Sequence, residues 1–169
     1  MKDLSILQKY MVCTVNEKGV FPFASVEERI LGLVAAGLLE LEMEGCITIR
    51  GRKIAAAGRL PAHRTYLEPL YAFIREKQEV KADVVVDAYN FSWTDKRLKA
   101  LWGAVGESLV EADAAAPCKA GLLGKQTGYQ PAPGVVQSVV EQMRAELLED
   151  GPVCDDTAAL VVLLEQVKC

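Results

Sequence analysis

Apolar residues recur every three to four positions over most of the chain, and this spacing predicts a mainly α-helical protein. The most apolar segment is 30–43, where apolar side chains cover much of the helix circumference. Such a helix is usually buried, so we expect it to be the central helix of a single domain spanning residues 1–169. Ser25 and Glu28 precede it at the spacing of a capping box, which predicts where the helix begins.

The same periodicity predicts amphipathic helices around the central one, six or seven helices in all. They are expected over residues 3–15, from a capping box at Thr65 and Glu68 through Ile74, from a cap at Thr94 through Leu109, from Val136 to Leu147, and from a cap at Asp155 or Asp156 to Leu164. Residues 80–91 fit either a strand, because of three consecutive valines, or a helix, because apolar residues also recur there at helical spacing.

Two glycine-containing segments predict one or two short β-hairpins. Gly45 ends the central helix, and short strands at 46–49 and 53–54 are joined by a turn that carries Arg50 and Arg52. Residues 116–134 are rich in glycine and proline, which predicts a loop, with a second small hairpin around 122–123 and 127–129 as an option.

Composition and charge make several classes of protein less consistent with the sequence. The formal charge of −4 and the pI of about 5.1 disfavour a nucleic-acid-binding protein. The five cysteines form no C-x-x-C pair, and Cys13 and Cys46 are expected to be inert thiols in the core. No signal peptide is recognisable and no apolar run reaches the roughly 18 residues of a membrane span, so we expect a cytoplasmic protein.

Catalytic chemistry has little support in the sequence. His63 is the single histidine and is expected at the surface, with no linked nucleophile. Residues 121–127 resemble a phosphate-binding loop, but the first glycine is misplaced and Gln126 stands where a serine or threonine would hold magnesium. Asp155 and Asp156 are expected to cap a helix. We therefore expect no catalytic residue, no metal site and no cofactor.

Three stretches together resemble the Golgi phosphoprotein three family. They are LSILQKYMVCTVNEKG, ERILGLVAAGLLELEMEGCITIRGRKI and DDTAALVVLLEQ. Between the second and the third, LEPLYAFIREKQ and LKALWGAVGESLVEAD occupy the places of two further family helices. The resemblance is collinear over nearly the whole chain. Because longer relatives continue past the last residue, Cys169, we expect a shortened form.

The resemblance implies a fold and a function. The fold is a helical domain around a buried central helix. The function is that of a non-enzymatic peripheral protein that binds phosphatidylinositol 4-phosphate on the cytosolic face of a membrane and, in eukaryotic members, holds glycosyltransferases in the Golgi. The family's hairpin serves oligomerisation through two exposed strand edges. Here it would involve Ile47, Ile49, Arg50, Arg52 and Lys53, unless the hairpin is a plain connector.

The family's lipid site transfers only in part. Ser25 stands at the position of the family's tryptophan, and Val34 stands at the position of its helix arginine. Lys99 and Trp102 stand at the positions of the two later arginines. Trp102 is expected in the core. Lysine lacks the bidentate fork of arginine, so we expect weak binding of an anionic headgroup. The expected headgroup contacts are Lys96, Arg97, Lys99 and Arg29, with Phe21 and Phe23 inserting into the lipid. The alternative interpretation is that Lys96, Arg97 and Lys99 form an ordinary solvent-exposed face of the helix and bind no ligand.

Two other functions remain as alternatives. A protein-interaction scaffold would keep the fold and bind an unidentified protein client without lipid. A winged-helix-like DNA-binding protein would use the cationic hairpin as its wing. The acidic net charge disfavours DNA binding, as do Glu40, Glu42 and Glu44 on the helix before the hairpin.

Overall fold

A computed structural model describes residues 3–90, 95–121, 124–149 and 151–168. These residues form seven α-helices, two 3-10 helices and five short strands, so the predicted mainly α fold is confirmed. The helices are α1 (Ile6–Thr14), α2 (Val26–Met43), α3 (Glu68–Lys77), α4 (Ala82–Asn90), α5 (Lys96–Glu111), α6 (Val135–Leu148) and α7 (Asp155–Gln166). The strands are β1 (Ile47–Arg50), β2 (Lys53–Ala56), β3 (Glu79–Lys81), β4 (Ala115–Ala120) and β5 (Gln126–Pro131).

Helix α2 is the central element of the core, as the apolar pattern predicts. It packs against α1, α3, α4 and α7. Gly32 and Gly37 permit this close packing, because a Cβ atom at Gly32 would lie 2.0 Å from the Tyr10 hydroxyl oxygen and one at Gly37 would lie 2.8 Å from a Leu70 methyl carbon. Leu31 and Met43 remain exposed, so one strip of the helix is not covered by the described chain.

The predicted start of the central helix is confirmed, because Ser25 holds the N-cap position of α2, but the capping-box hydrogen bonds predicted at Ser25 and Thr65 are absent. The Ser25 hydroxyl makes no helix cap and instead accepts a 2.8 Å hydrogen bond from Arg29 Nε. Thr65 lies inside a 3-10 helix, Ala62–Leu67, and α3 begins at Glu68 without a side-chain cap. A true capping box lies at α1, where Ser5 and Gln8 each bond the other's backbone amide. The Ser5–Gln8 box has the same sequence pattern as the two predicted boxes. The pattern alone therefore does not show where tertiary contacts prevent the cap from forming.

Two further predicted caps have different outcomes. Cys154, rather than Asp155 or Asp156, caps α7, because its sulfur accepts a hydrogen bond from the Thr157 amide. The two aspartates occupy the first turn of α7, where the helix dipole favours their charge. Thr94, the predicted cap of α5, lies outside the described residues.

The first hairpin is part of a three-stranded sheet. Strands β1 and β2 pair antiparallel, and β3 then pairs with β2 through Ile54 and Val80. The expectation of two exposed strand edges is therefore wrong, because β3 covers the outer side of β2. Residues 80–91 are neither all strand nor all helix: Glu79–Lys81 is a strand and Ala82–Asn90 is a helix.

Residues 116–134 are more ordered than the expected loop. Strands β4 and β5 form an antiparallel ribbon of six paired positions, from Ala115 with Pro131 to Ala120 with Gln126. Tyr129 anchors the ribbon on α5, where a Cβ at Gly106 would lie 2.1 Å from the Tyr129 ring. A second hairpin is thus confirmed and its second strand includes the predicted 127–129, but its first strand is Ala115–Ala120 and not the predicted 122–123, which lie outside the described part of the chain.

A mixed-charge cleft beside an exposed phenylalanine

A cleft of about 770 Å³ lies between α5, the segment that precedes α2, and the β4–β5 ribbon. Three kinds of side chain line it: apolar residues on the floor, charged residues on α5, and polar residues from the ribbon. The lining includes Val20, Phe21, Phe23, Val26, Ile30, Asp95, Leu98, Lys99, Trp102, Glu107, Lys125, Gln126 and Thr127. Lys99 thus opens onto a concave surface beside the Phe21–Phe23 segment.

The floor of the cleft is built from the core. Trp102 is 8% exposed, which confirms its predicted place in the core. Its indole nitrogen donates a 3.0 Å hydrogen bond to the Thr127 carbonyl oxygen, which joins α5 to the ribbon. Phe21 meets the Trp102 ring edge-on, with 4.9 Å between the ring centroids. Phe21 therefore belongs to the floor, and its predicted insertion into lipid does not match this packed position.

Phe23 has the opposite environment from Phe21. It begins the 3-10 helix Phe23–Ser25, which leads into α2, and its exposed fraction is 95%. An aromatic side chain so exposed at the edge of a cleft forms a local apolar projection. Phe23 is thus the member of the predicted pair that the fold leaves free to contact a partner or a membrane.

Charged residues line the α5 wall at a regular spacing. Asp95, Lys99, Gly103 and Glu107 are four positions apart and all line the cleft. Lys99, Gly103 and Glu107 lie on the same face of α5 because they are four residues apart, and Asp95 precedes the first residue of the helix, so the four form one ridge. Lys125 lines the cleft from the ribbon turn. Sequence reasoning missed Lys125, although it lies in the segment that resembles a phosphate-binding loop.

The other predicted headgroup contacts do not join Lys99 in the cleft. Lys96 and Arg97 are exposed on α5, and the Arg97 guanidinium lies over the Phe73 ring, 4.9 Å from its centroid, outside the cleft lining. Arg29 is 9% exposed, and its guanidinium donates to the Thr14 carbonyl oxygen and the Ser25 hydroxyl. The expectation that Arg29 faces a membrane surface is therefore wrong: it ties α2 to the end of α1.

The positions of the family's other lipid contacts are equally unsuited to a headgroup. Val34, at the place of the helix arginine, is buried. Ser25, at the place of the tryptophan, is half-buried and bonded to Arg29. Of the four positions, Lys99 alone presents an exposed charged side chain.

The predicted hairpin residues divide between the core and the surface. Ile47 is 1% exposed and so is unavailable to a partner, contrary to its predicted role. Arg52 pairs with Asp83 at 3.2 Å, and Lys53 pairs with Glu79 at 2.9 Å. The hydrogen bond to Glu79 raises the pKa of Lys53. Arg50 and part of Ile49 stay exposed. Because Arg52 and Lys53 are paired with carboxylates, the tip keeps little unpaired cationic charge for a nucleic-acid backbone.

A buried polar cluster joins the end of α2 to the Ala62–Leu67 turn. Glu40 is 3% exposed, and its carboxylate accepts hydrogen bonds from the Leu7 amide and the Tyr66 hydroxyl. Arg64 lies 3.3 Å from Glu40 and 2.8 Å from Glu44. The hydrogen bond from Arg64 lowers the pKa of Glu44. Burial is the main cause of the raised pKa of Tyr66. Every member has partners within the protein, so the cluster is structural.

The fold and the cleft define a class of protein: a mainly helical domain around a buried helix, with a mixed-charge cleft beside an exposed aromatic residue. A family model described as Golgi phosphoprotein 3 (GPP34) matches residues 8–169. The chain therefore belongs to the GPP34 family, and the resemblance is confirmed. A comparison with curated proteins found no match. Within the described ranges, no helix combines the length and apolarity needed to cross a membrane.

Proposed function

We propose that this GPP34 protein is a non-enzymatic peripheral protein that binds anionic phospholipid headgroups weakly on the cytosolic face of a membrane. The observation that carries the proposal is the exposed Phe23 at the edge of a cleft that also contains Lys99 and Lys125. An apolar projection beside cationic side chains suits the boundary between lipid headgroups and acyl chains.

The expected affinity is modest. A basic residue near an anionic leaflet contributes about 1 kcal/mol, so two lysines contribute at most about 2 kcal/mol, or roughly a thirty-fold increase in binding, and the carboxylates of Asp95 and Glu107 in the same cleft reduce this. Insertion of the Phe23 ring adds roughly 1 to 2 kcal/mol, because only part of the ring leaves water. Both lysines are exposed, so salt screens their contribution and binding weakens as ionic strength rises.

Vesicle flotation tests the proposal. Wild-type protein should float with vesicles of phosphatidylcholine and phosphatidylglycerol, and much less with phosphatidylcholine alone. Lys99→Glu combined with Lys125→Glu should abolish the difference between the two vesicles. Phe23→Ser should reduce recovery with anionic vesicles about ten-fold, which corresponds to about 1.4 kcal/mol.

Matched controls separate the cleft from general surface effects. Lys77→Glu reverses an exposed charge that does not line the cleft, and Leu148→Ser removes an exposed apolar side chain from the end of α6. Each control should reduce recovery with anionic vesicles less than the corresponding cleft variant does. Equal recovery of the wild-type protein with neutral and anionic vesicles would contradict the proposal.

A protein-interaction scaffold is the second candidate function. It is favoured by the outer side of β1, which pairs with no other strand in the described part of the chain. An unpaired strand edge can add a strand from another chain. This function predicts no flotation with any vesicle and an association that depends on residues 47–50.

A further inference from the structure

We propose that the cleft selects a phospholipid headgroup that carries both a phosphate and a primary ammonium group, which donates hydrogen bonds that the trimethylammonium of phosphatidylcholine lacks, with phosphatidylserine as the form that is also anionic. This inference rests on the proposed function and specifies the ligand of the same site. Its basis is that the cleft is not cationic: the lysines Lys99 and Lys125 are accompanied by the carboxylates of Asp95 and Glu107.

The two signs of charge alternate along the α5 wall. Asp95 immediately precedes α5, and its carbonyl oxygen accepts a 2.8 Å hydrogen bond from the Lys99 amide. Glu107 lies eight residues beyond Lys99, about 12 Å along the helix axis. Gly103 lies between Lys99 and Glu107, and a Cβ there would meet nothing within 4 Å. The ridge therefore has an open notch between a cation and an anion.

The four charges are available to a ligand. Asp95, Lys99, Glu107 and Lys125 are exposed, and within the described ranges no ion pair of 4.0 Å or less involves any of them. A phosphate held by the lysines brings an attached ammonium group toward a carboxylate of the ridge. A headgroup with only negative charges gains the lysines but is repelled by Asp95 and Glu107.

This arrangement produces specificity by repulsion as well as attraction. Charged groups that match one ligand and oppose another contribute more to discrimination than to total affinity. Multiply phosphorylated headgroups are the least compatible, because the charges of the lysines are balanced by the two carboxylates. The exposed Phe23 at the edge of the cleft favours a membrane-borne source of the headgroup over a free phosphate compound.

The test compares vesicles of equal charge. Phosphatidylcholine vesicles contain the same fraction of either phosphatidylserine or phosphatidylglycerol, which carry the same net charge. Phosphatidylserine has an ammonium group and a carboxylate where phosphatidylglycerol has hydroxyl groups. Wild-type protein should bind the phosphatidylserine vesicles about two- to five-fold more tightly, the range expected of an exposed ion pair. Phosphatidylinositol 4-phosphate vesicles of matched total charge should bind no better than phosphatidylglycerol vesicles.

Removal of the carboxylates should abolish the preference. In the variant Asp95→Asn/Glu107→Gln, binding of phosphatidylglycerol vesicles should rise and the ratio between the two vesicles should approach one. Asn suits position 95, where φ is 47°, because it tolerates this left-handed conformation. The control Asp87→Asn/Glu111→Gln removes the same charge from exposed positions outside the cleft and should keep the wild-type ratio.

The outcomes distinguish this inference from the proposed function. Binding of both anionic vesicles with a ratio near one in the wild-type protein would overturn the amine preference and leave anionic lipid binding supported. A ratio that survives in Asp95→Asn/Glu107→Gln would also overturn it, because the preference would then come from elsewhere. Absence of binding to every anionic vesicle would overturn both.

Discussion

The backbone amide of Tyr129 donates a 2.8 Å hydrogen bond to the carbonyl oxygen of Gly19. This bond fixes the segment that leads to Phe21 and Phe23 onto strand β5. The contact is so close that a Cβ atom at Gly19 would lie 2.6 Å from the Tyr129 carbonyl carbon. The exposed phenylalanine is therefore positioned by the β4–β5 ribbon as well as by α2.

Gly19→Ala should lower the free energy of unfolding by about 3 kcal/mol. The positive φ of 66° contributes about 1 to 2 kcal/mol of this, and overpacking against β5 contributes the rest. Gly45→Ala is the matched control, because its φ is 69° and a Cβ there meets nothing within 4 Å. It should show the backbone cost alone. Equal losses for the two variants in urea unfolding would contradict the close contact with β5.

Glu40→Ala should lower the free energy of unfolding by about 3 to 5 kcal/mol. The substitution leaves the half-buried Arg64 without one of its anionic partners and leaves the Leu7 amide without an acceptor. Glu111→Ala, at the exposed end of α5, should change stability by less than about 0.5 kcal/mol. A loss below about 1 kcal/mol for Glu40→Ala, measured by denaturant unfolding, would show that the cluster contributes little.

Stability should fall at acidic pH partly through Glu44. Because Arg64 lowers the pKa of Glu44 in the folded protein, the ionised carboxylate stabilises the fold above the usual pKa of 4.5. This contribution is lost as the pH falls from about 4.5 through the lowered pKa. Urea unfolding of Glu44→Gln between neutral and acidic pH should show a shallower decline than that of the wild-type protein. An identical decline in both proteins would show that Glu44 does not contribute to the loss of stability at acidic pH.

Self-association through the hairpin stays a prediction and has a specific structural test. The Ile49 amide donates a 2.9 Å hydrogen bond to the Glu42 carboxylate, so part of the β1 edge is already occupied. If copies pair along β1, Glu42→Ala should increase dimer formation and Ile49→Asp should prevent it. Size-exclusion chromatography with light scattering measures both, with Glu27→Ala as an exposed control on the same helix. Monomers in all four proteins would exclude pairing along β1.

Several features follow from the sequence because they depend on local periodicity. The apolar circumference of residues 30–43 predicts a central helix, and α2 occupies that place. Trp102 shares an apolar stripe with Leu98 and Val105, and this predicts its core position. Lys99 is a charged residue at the border of the same apolar stripe, next to Leu98 in sequence and within one turn of Trp102, which makes it a sound candidate for a site. Burial of apolar surface drives the packing in each case, and the spacing of apolar residues along the chain already shows which side of a helix is buried.

Other features depend on contacts between segments distant in the chain, and only the tertiary structure decided them. Arg29 is a surface cation by residue type, yet the Thr14 carbonyl and the Ser25 hydroxyl draw it inward, and that same contact removes the predicted cap. Strand β3 covers a hairpin edge because it lies beside β2, and Lys125 reaches the cleft because Tyr129 holds the ribbon on α5. Hydrogen bonds and close contacts of this kind depend on three-dimensional proximity, which local spacing along the chain does not encode.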